Sequence, residues 1–332
     1  MVEKGSRRSQ RSSRALCFLA GVLDCDGSFF IARDTPTIKI TSKKYPEILV
    51  RVANCLERFG IPFSIERTIL GIRVQRRQAC FKLCKLIRPY LAAKREHARM
   101  LMQFVIRPEP AIRERLSELN RGEQVIEDVL SRLRGLAEQA QALGLSGWRK
   151  SPTCLSDRTK RQLSYLAGAL EADGCFTISG LTPAVRLTSV KYPSLVLRIA
   201  RIYAKLGVEF SYGRDHRGVN VSVYRQGALN RLLHLIRPYM WAKREHVRVL
   251  SKFVSAKMEG ASRRTLFILR ARLRRLNHPR SEQLKARKGH VLRKLKAIQA
   301  RTVRAPPGSS SSSPPGRCAR SSAPAPRPAS GP

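Results

Sequence analysis

The sequence has no apolar run long enough to span a bilayer and no lipidation signal, so no membrane partner is expected. It is also poor in acid, with 23 Asp and Glu against 65 Lys and Arg. The formal charge of +42 and the pI near 11.3 set up a field that favours a polyanion, and nucleic acid fits better than an anionic membrane. The eight cysteines (17, 25, 55, 80, 84, 154, 175 and 318) contain no CxxC pair. Cys80 and Cys84 lie one helical turn apart on an apolar stripe and read as packing residues rather than zinc ligands. This usage implies a reducing compartment, bacterial cytoplasm or an organelle such as a chloroplast or mitochondrion, and not secretion. The Arg- and Ser-rich start is of transit-peptide composition, yet helical patterning begins within about fifteen residues, leaving little room for a cleavable leader.

What the sequence does have is one motif twice, LAGVLDCDG at 19–27 and LAGALEADG at 166–174. Leu16, Leu19, Ala20 and Leu23 in the first copy, and Leu163, Leu166, Ala167 and Leu170 in the second, follow helical spacing up to an Asp-Gly pair. The small residues Ala20, Gly21, Ala167 and Gly168 cost helix propensity but let two backbones approach closely, so the two helices are expected to pack on each other. That would bring Asp26 and Asp173 together at two helix C-termini, where the dipoles are already negative. A hard divalent cation would relieve the repulsion, with backbone carbonyls as further ligands. Gly27 and Gly174 are expected as left-handed caps.

Downstream of the first motif, 28–33 and 37–42 alternate in the manner of strands, with Ile38 and Ile40 inward and Thr37, Lys39 and Thr41 outward. A helix follows from Tyr45-Pro46 to Gly60, then strands around 62–68 and 71–77, the latter with Arg73, Gln75 and Arg77 outward. The turn LIRPY (86–90) and KREH (94–97) complete the block. All of this recurs. Asp26, Tyr45 and Gly60 have counterparts 147 residues later, Asp173, Tyr192 and Gly207, whereas LIRPY and KREH recur 149 residues later, at 235–239 and 243–246. In the second copy Arg186, Thr188, Asn220, Ser222 and Tyr224 take the outward positions. A β-ribbon fits the DNA major groove, and the unlike outward sets suit an asymmetric duplex site.

The resulting domain reading is a basic flexible arm (1–13), a first lobe (14–108), a helical connector (109–155), a second lobe (156–260), a basic helical extension (261–301) and a disordered Pro/Ser/Arg tail (302–332). The connector carries Val125, Val129, Leu133, Leu136, Ala140 and Leu143 at helical spacing and reads as a packed brace. The extension holds 14 Lys and Arg against one acid, Glu282, and Pro279 interrupts its leucine stripe. The tail has too little apolar bulk to fold.

The paired motifs and their matching downstream blocks resemble the LAGLIDADG homing endonuclease family, over roughly 14–105 and 160–255. The resemblance implies an α+β fold: two pseudo-symmetric αββαββα lobes packed through the two motif helices, with a DNA-binding antiparallel β-saddle. It implies Asp26 and Asp173 as metal-binding catalytic acids, with the carbonyls of Cys25 and Ala172 beside them and Mg2+ as cofactor. It further implies Lys94 and Lys243 as catalytic lysines reaching toward the scissile phosphate, and Ser42 and Ser189 as polar supporting residues. The earlier acids, Asp24 and Glu171, lie two residues back, on another helix face, and are assigned to structure. The activity implied is metal-dependent double-strand cleavage of a long asymmetric DNA site by a monomer. Two alternatives remain open at this point: an RNA maturase of the same fold acting on intron RNA, and a non-cleaving DNA-binding regulator.

Overall fold

Helix α1 runs from Val2 to Asp26, and its counterpart α7 from Asp157 to Ala172 with Ser156 as N-cap. The apolar stripes of both are buried, and the helices cross at the two motif glycines. A Cβ on Gly21 would overlap the Tyr165 carbonyl oxygen and lie 2.9 Å from Ala169 N. A Cβ on Gly168 would overlap the Phe18 carbonyl oxygen and lie 3.2 Å from Val22 N. Backbone therefore touches backbone, which only a residue without Cβ permits.

The structure, a computed structural model, describes residues 2–122, 127–145, 155–216 and 218–304, the side chains of 2–8, 145 and 304 excepted. Val125, Cys154, Cys318 and the tail from 305 onward lie outside the described residues. After α1 the first lobe contains β1 (Gly27–Ala32), β2 (Thr35–Thr41), α2 (Glu47–Arg58), β3 (Ser64–Glu66), β4 (Gly71–Val74), α3 (Arg77–Ile87) and α4 (Arg95–Ile106). Helices α5 (Pro110–Arg121) and α6 (Glu127–Leu145) precede α7. The second lobe repeats the order with β5 (Cys175–Ser179), β6 (Thr182–Ser189), α8 (Pro193–Lys205), β7 (Ser211–Asp215), β8 (Gly218–Val223), α9 (Gln226–Ile236) and α10 (Arg244–Met258). Helices α11 (Arg263–Asn277) and α12 (Ser281–Arg304) follow. The fold is α+β with αββαββα lobes. Each carries one antiparallel four-stranded sheet, in the order β1-β2-β4-β3 and β5-β6-β8-β7.

Alternation accounts for the sheet cores: Phe29, Ile38, Ile40, Ile72 and Val74 are buried in the first, Phe176, Val185, Leu187, Val219, Val221 and Val223 in the second. Gly60 and Gly207 both take φ +58°, the left-handed conformation that ends α2 and α8. Cys80 and Cys84 are buried and free, as packing residues should be.

Three expectations are corrected. Residues 2–13, read as a flexible arm, continue α1 upstream: their Arg- and Ser-rich run holds no proline, and Arg14 at its end bonds Asp157 at 3.0 Å. Gly27 and Gly174 are absent from the glycines of positive φ among the described residues. They are needed for space, since a Cβ on either would lie 2.5 Å from the carbonyl oxygen of Leu23 or Leu170. Residues 302–304, expected as the start of the tail, are helical, because α12 continues through Arg304.

The helices outside the lobe blocks also form a repeat. Helix α5 packs on α4 and β1, and α11 packs on α10 and β5. Asn120 of α5 donates to Phe29 O at 2.9 Å, and Asn277 of α11 donates to Phe176 O at 2.8 Å. The second helix of each pair then crosses to the opposite lobe, α6 to α8 and α12 to α2. Val291, Leu295 and Ile298 of α12 are buried there, Arg287 pairs with Glu47 at 2.5 Å, and Gln299 donates to Phe63 O at 2.9 Å. The basic extension is thus a brace for the first lobe, as the connector is for the second.

Two outcomes follow from this packing. Gly21→Ala and Gly168→Ala should each cost about 1–3 kcal/mol through overpacking of a backbone contact, read by urea unfolding. Truncation after Arg280 should lower the stability of the first lobe by about 3–5 kcal/mol, from three buried aliphatic side chains less the ordering entropy of α12. Hydrogen exchange localises the loss, and equal protection of α2 in both chains would contradict the brace.

Candidate functional site

The crossing at Gly21 and Gly168 brings the C-termini of α1 and α7 together, and Asp26 and Asp173 end those helices. Asp26 is half-buried and Asp173 is open to solvent on one side. Desolvation at the helix ends, and then the facing Asp173, push the Asp26 carboxyl up to about 7. Asp173 is raised chiefly by desolvation, with Lys243 and Lys94 opposing. The Cys25 thiol lies between the helices and donates to Ala169 O at 3.6 Å.

The carbonyls around these aspartates are held by lysine. Lys94 Nζ donates to Leu23 O at 3.0 Å, Cys25 O at 3.1 Å and Gly27 O at 2.7 Å. Lys243 Nζ makes the same set in the other lobe, to Leu170 O at 2.9 Å, Ala172 O at 3.3 Å and Gly174 O at 2.7 Å. Both ammonium groups are buried at 4% and 2% exposure and have all three protons engaged. The expectation that they project toward a phosphate is corrected: their stems run inward to cap the motif helices, where a cation complements the negative dipole end. Burial lowers both pKa values, that of Lys243 to about 8, and the neighbouring acids oppose the shift.

The loops bearing the lysines are fixed by the earlier acids, Asp24 and Glu171. Asp24, fully buried, accepts from Ala92 N at 2.7 Å, Lys94 N at 2.8 Å and the Tyr165 hydroxyl at 2.7 Å. Glu171 accepts from Trp241 N, with Arg51 of the opposite lobe 3.9 Å away. Each acid thus clamps a loop whose lysine returns to clamp the helix end that carries the acid. Burial raises the pKa of both carboxyls, and these donors hold the rise in check.

A second set of residues, visible in the sequence only as repeat markers, ties the lobes together. The Tyr45 hydroxyl lies 3.3 Å from His246 Nε2, and the Tyr192 hydroxyl 3.4 Å from His97 Nε2, each across the interface. The same rings sit under the opposite lysines, Lys243 4.6 Å from the Tyr45 centroid and Lys94 5.0 Å from that of Tyr192. Recurrence of Tyr-Pro and of His three residues after each lysine is the signal the sequence offers for them. Ser42 and Ser189 serve the turns before α2 and α8, Ser42 donating to Tyr45 O at 3.0 Å and Ser189 accepting from Tyr192 N at 3.2 Å.

Of the outward residues, Lys39, Thr41, Arg73, Gln75 and Thr188 are half-buried on the sheets or just beyond them, and Arg186 and Tyr224 are exposed. Arg186 donates from Nε to Ser222 Oγ at 2.9 Å. Four positions depart from expectation. Thr37 is fully buried opposite Phe30, its hydroxyl turned to Thr35 O. Asn220 and Ser222, short side chains on a central strand, are covered by longer neighbours and only 8% and 6% exposed. Arg77 opens α3 because β4 stops at Val74. Sequence reading also misses Glu66, which pairs with Lys39 at 2.7 Å and Arg73 at 3.1 Å and pre-orients both. The hydrogen bond from Lys39 is the main reason its carboxyl lies below the usual range.

Residues 14–79 match the family of the LAGLIDADG-like domain. Among solved structures the chain is similar to the LAGLIDADG meganuclease I-AabMI bound to uncleaved DNA, at 13% identity and a TM-score of 0.51 over 80% of this chain and 98% of that one. It is likewise similar to the homing endonuclease I-SmaMI bound to cleaved DNA (13%, TM-score 0.50, 86% and 95% covered). The meganuclease I-CpaMI bound to uncleaved DNA gives 12%, 0.50, and 86% and 98%. No curated protein matches. No helix among the described residues is long and apolar enough to cross a membrane.

The lysine caps generate a clear expectation. Lys94→Met and Lys243→Met should each destabilise the fold by about 2–4 kcal/mol, since three carbonyls lose a charged donor in a buried site. Lys→Arg should not restore it, because a planar fork does not fit three converging carbonyls. Unchanged denaturant midpoints would overturn this capping role.

Proposed function

The chain carries a LAGLIDADG-like domain at 14–79 and has the fold of the LAGLIDADG homing endonucleases; from this we propose that it is a site-specific DNA endonuclease, cutting both strands of a duplex by metal-dependent phosphodiester hydrolysis. The observation that carries the reading is the juxtaposition of Asp26 and Asp173 at two abutting helix C-termini. A pure binding protein has no use for paired carboxylates facing a polyanion, and their raised pKa values register the cost of leaving them uncompensated.

The donor set fits a hard divalent cation, Mg2+ above all. Among the described residues no group of three His, Cys, Asp or Glu is placed to hold a metal. Two carboxylates and the carbonyls of Cys25 and Ala172 nonetheless suit an ion that keeps water and phosphate oxygens in its shell. When bound, such a cation supplies Lewis-acid charge and a more acidic water. The chain's own groups do the rest. Asp26 and Asp173 would hold the cation, Lys94 and Lys243 fix the neighbouring carbonyls, and the clamps of Asp24 and Glu171 hold the helix ends in place against incoming phosphate charge. Lys39, Thr41, Arg73, Gln75, Arg186, Thr188 and Tyr224 face the duplex from the two sheets, a different set in each lobe. A single chain with two unlike halves reads an asymmetric site as a monomer.

The test begins by recovering a cleaved site from a randomised duplex library. Asp26→Asn and Asp173→Asn should each reduce double-strand cleavage of that site by more than about a hundredfold while leaving duplex affinity nearly intact. Removing divalent cations with a chelator should do the same. Full cutting by either variant would end the assignment, and duplex binding without any cutting by the unaltered chain would favour a regulator.

A further inference from the structure

The edge strand of the second sheet, β5, carries a cationic feature beside helix α11. Between α11 and the edge strand β5 lies a groove of about 320 Å³, lined by Arg270, Arg274 and His278 from the helix side and Thr177 and Ser179 from the strand. Arg270 and Arg274 are four apart and share one helix face, and His278 caps the C-terminus of that helix. Ile178, Leu273 and Asn277 also line it. Thr177 and Ser179 share the outward strand face with Cys175, which pairs in register with Arg186, and through them the groove reaches the outward face of the second sheet. No acid lines it, and among the described residues neither Arg270 nor Arg274 has an acidic partner within ion-pair distance.

The internal repeat says what this region would be without selection for charge. Helix α5 holds the equivalent place in the first lobe, with Asn120 and Asn277 as matching anchors. Residues 112–121 read IRERLSELNR and 269–278 read LRARLRRLNH. The apolar and Asn positions agree, so packing is the same. The surface differs: Glu114, Ser117 and Glu118 are replaced by Ala271, Arg274 and Arg275. In the first lobe Arg113, the counterpart of Arg270, is neutralised by Asp34. A brace alone requires no such change, since α5 does the same packing with mixed charge.

We infer that this groove is a phosphate-binding site that grips the DNA backbone at the flank of the second half-site, with Arg270 and Arg274 as the contacting groups. Two guanidiniums four residues apart beside edge hydroxyls match a phosphodiester, which accepts bidentate hydrogen bonds but presents no base edge. The grip is one-sided because its counterpart in the first lobe is charge-neutralised. The inference rests on the duplex-binding reading above.

The experiment measures binding of the full chain to a labelled random-sequence duplex across a salt titration. For Arg270→Gln/Arg274→Gln the magnitude of the log affinity against log salt slope should fall by about 2, near 0.9 for each phosphate that is no longer neutralised. Arg270→Lys/Arg274→Lys should retain most of the slope, which also controls for folding of the helix. Arg275→Gln, exposed and outside the groove, should leave the slope unchanged although it removes a charge. An unaltered slope in the Gln double variant overturns the groove as a phosphate site and leaves duplex binding by the sheets standing. A slope change in Arg275→Gln equal, per charge, to that of the double variant overturns it as well, since net charge would then explain both. Failure of the unaltered chain to bind any duplex would overturn the functional reading, and this inference with it.

Discussion

Everything in this molecule depends on two helices touching backbone to backbone. The absence of a side chain at Gly21 and Gly168 lets α1 and α7 cross where Gly21 meets Tyr165 and Gly168 meets Phe18. That contact brings two helix C-termini together, each with a negative dipole and each ending in an aspartate. The arrangement is electrostatically unfavourable as it stands, and the rest of the interface offsets it. Two buried ammonium groups take three carbonyls each, and two buried acids hold the loops that deliver them. Tyrosines from the opposite lobe cover the ammoniums. Positive charge is thus packed behind the carboxylates, where it stabilises the helix ends without occupying the space in front of them.

The two lobes share a scaffold and differ in what they expose. In the first, Glu66 organises Lys39 and Arg73, and Asp34 neutralises Arg113. In the second, Arg186 bonds Ser222 and the flanking helix carries uncompensated arginine. The inward positions differ too, Ile38, Ile40 and Ile72 against Val185, Leu187 and Val221, but stay apolar because the same sheet alternation buries them.

Much of this is legible in the sequence, and the reasons for the exceptions are physical. Motif helices, inward strand residues and the helix-ending Gly60 and Gly207 follow from periodicity and backbone chemistry, which are local. The direction of a long flexible side chain is not local. The spacing of Lys94 and Lys243 from a proline turn fixes where their Cα atoms lie but not whether the stems run outward to substrate or inward to carbonyls. Alternation likewise assigns Thr37, Asn220 and Ser222 to the outward face, yet whether Phe30 or Arg186 covers them depends on neighbours in other strands. Glu66 escapes a sequence reading because an acid on a cationic surface looks like an exception until its two partners are seen. The kinship of α5 with α11 is hidden by charge, since the residues that differ are the ones composition weighs most heavily.

The reciprocal crossing of α6 and α12 has a topological consequence. Each half of the chain, taken as one repeat with its trailing helices, lends its last helix to the other half and borrows one in return. The halves are joined in the manner of a domain-swapped pair that happens to be covalently continuous, and neither can close its own apolar surface alone. The exchange thus adds to the contact of α1 with α7. Severing the chain between the repeats would leave two fragments that still require one another to fold.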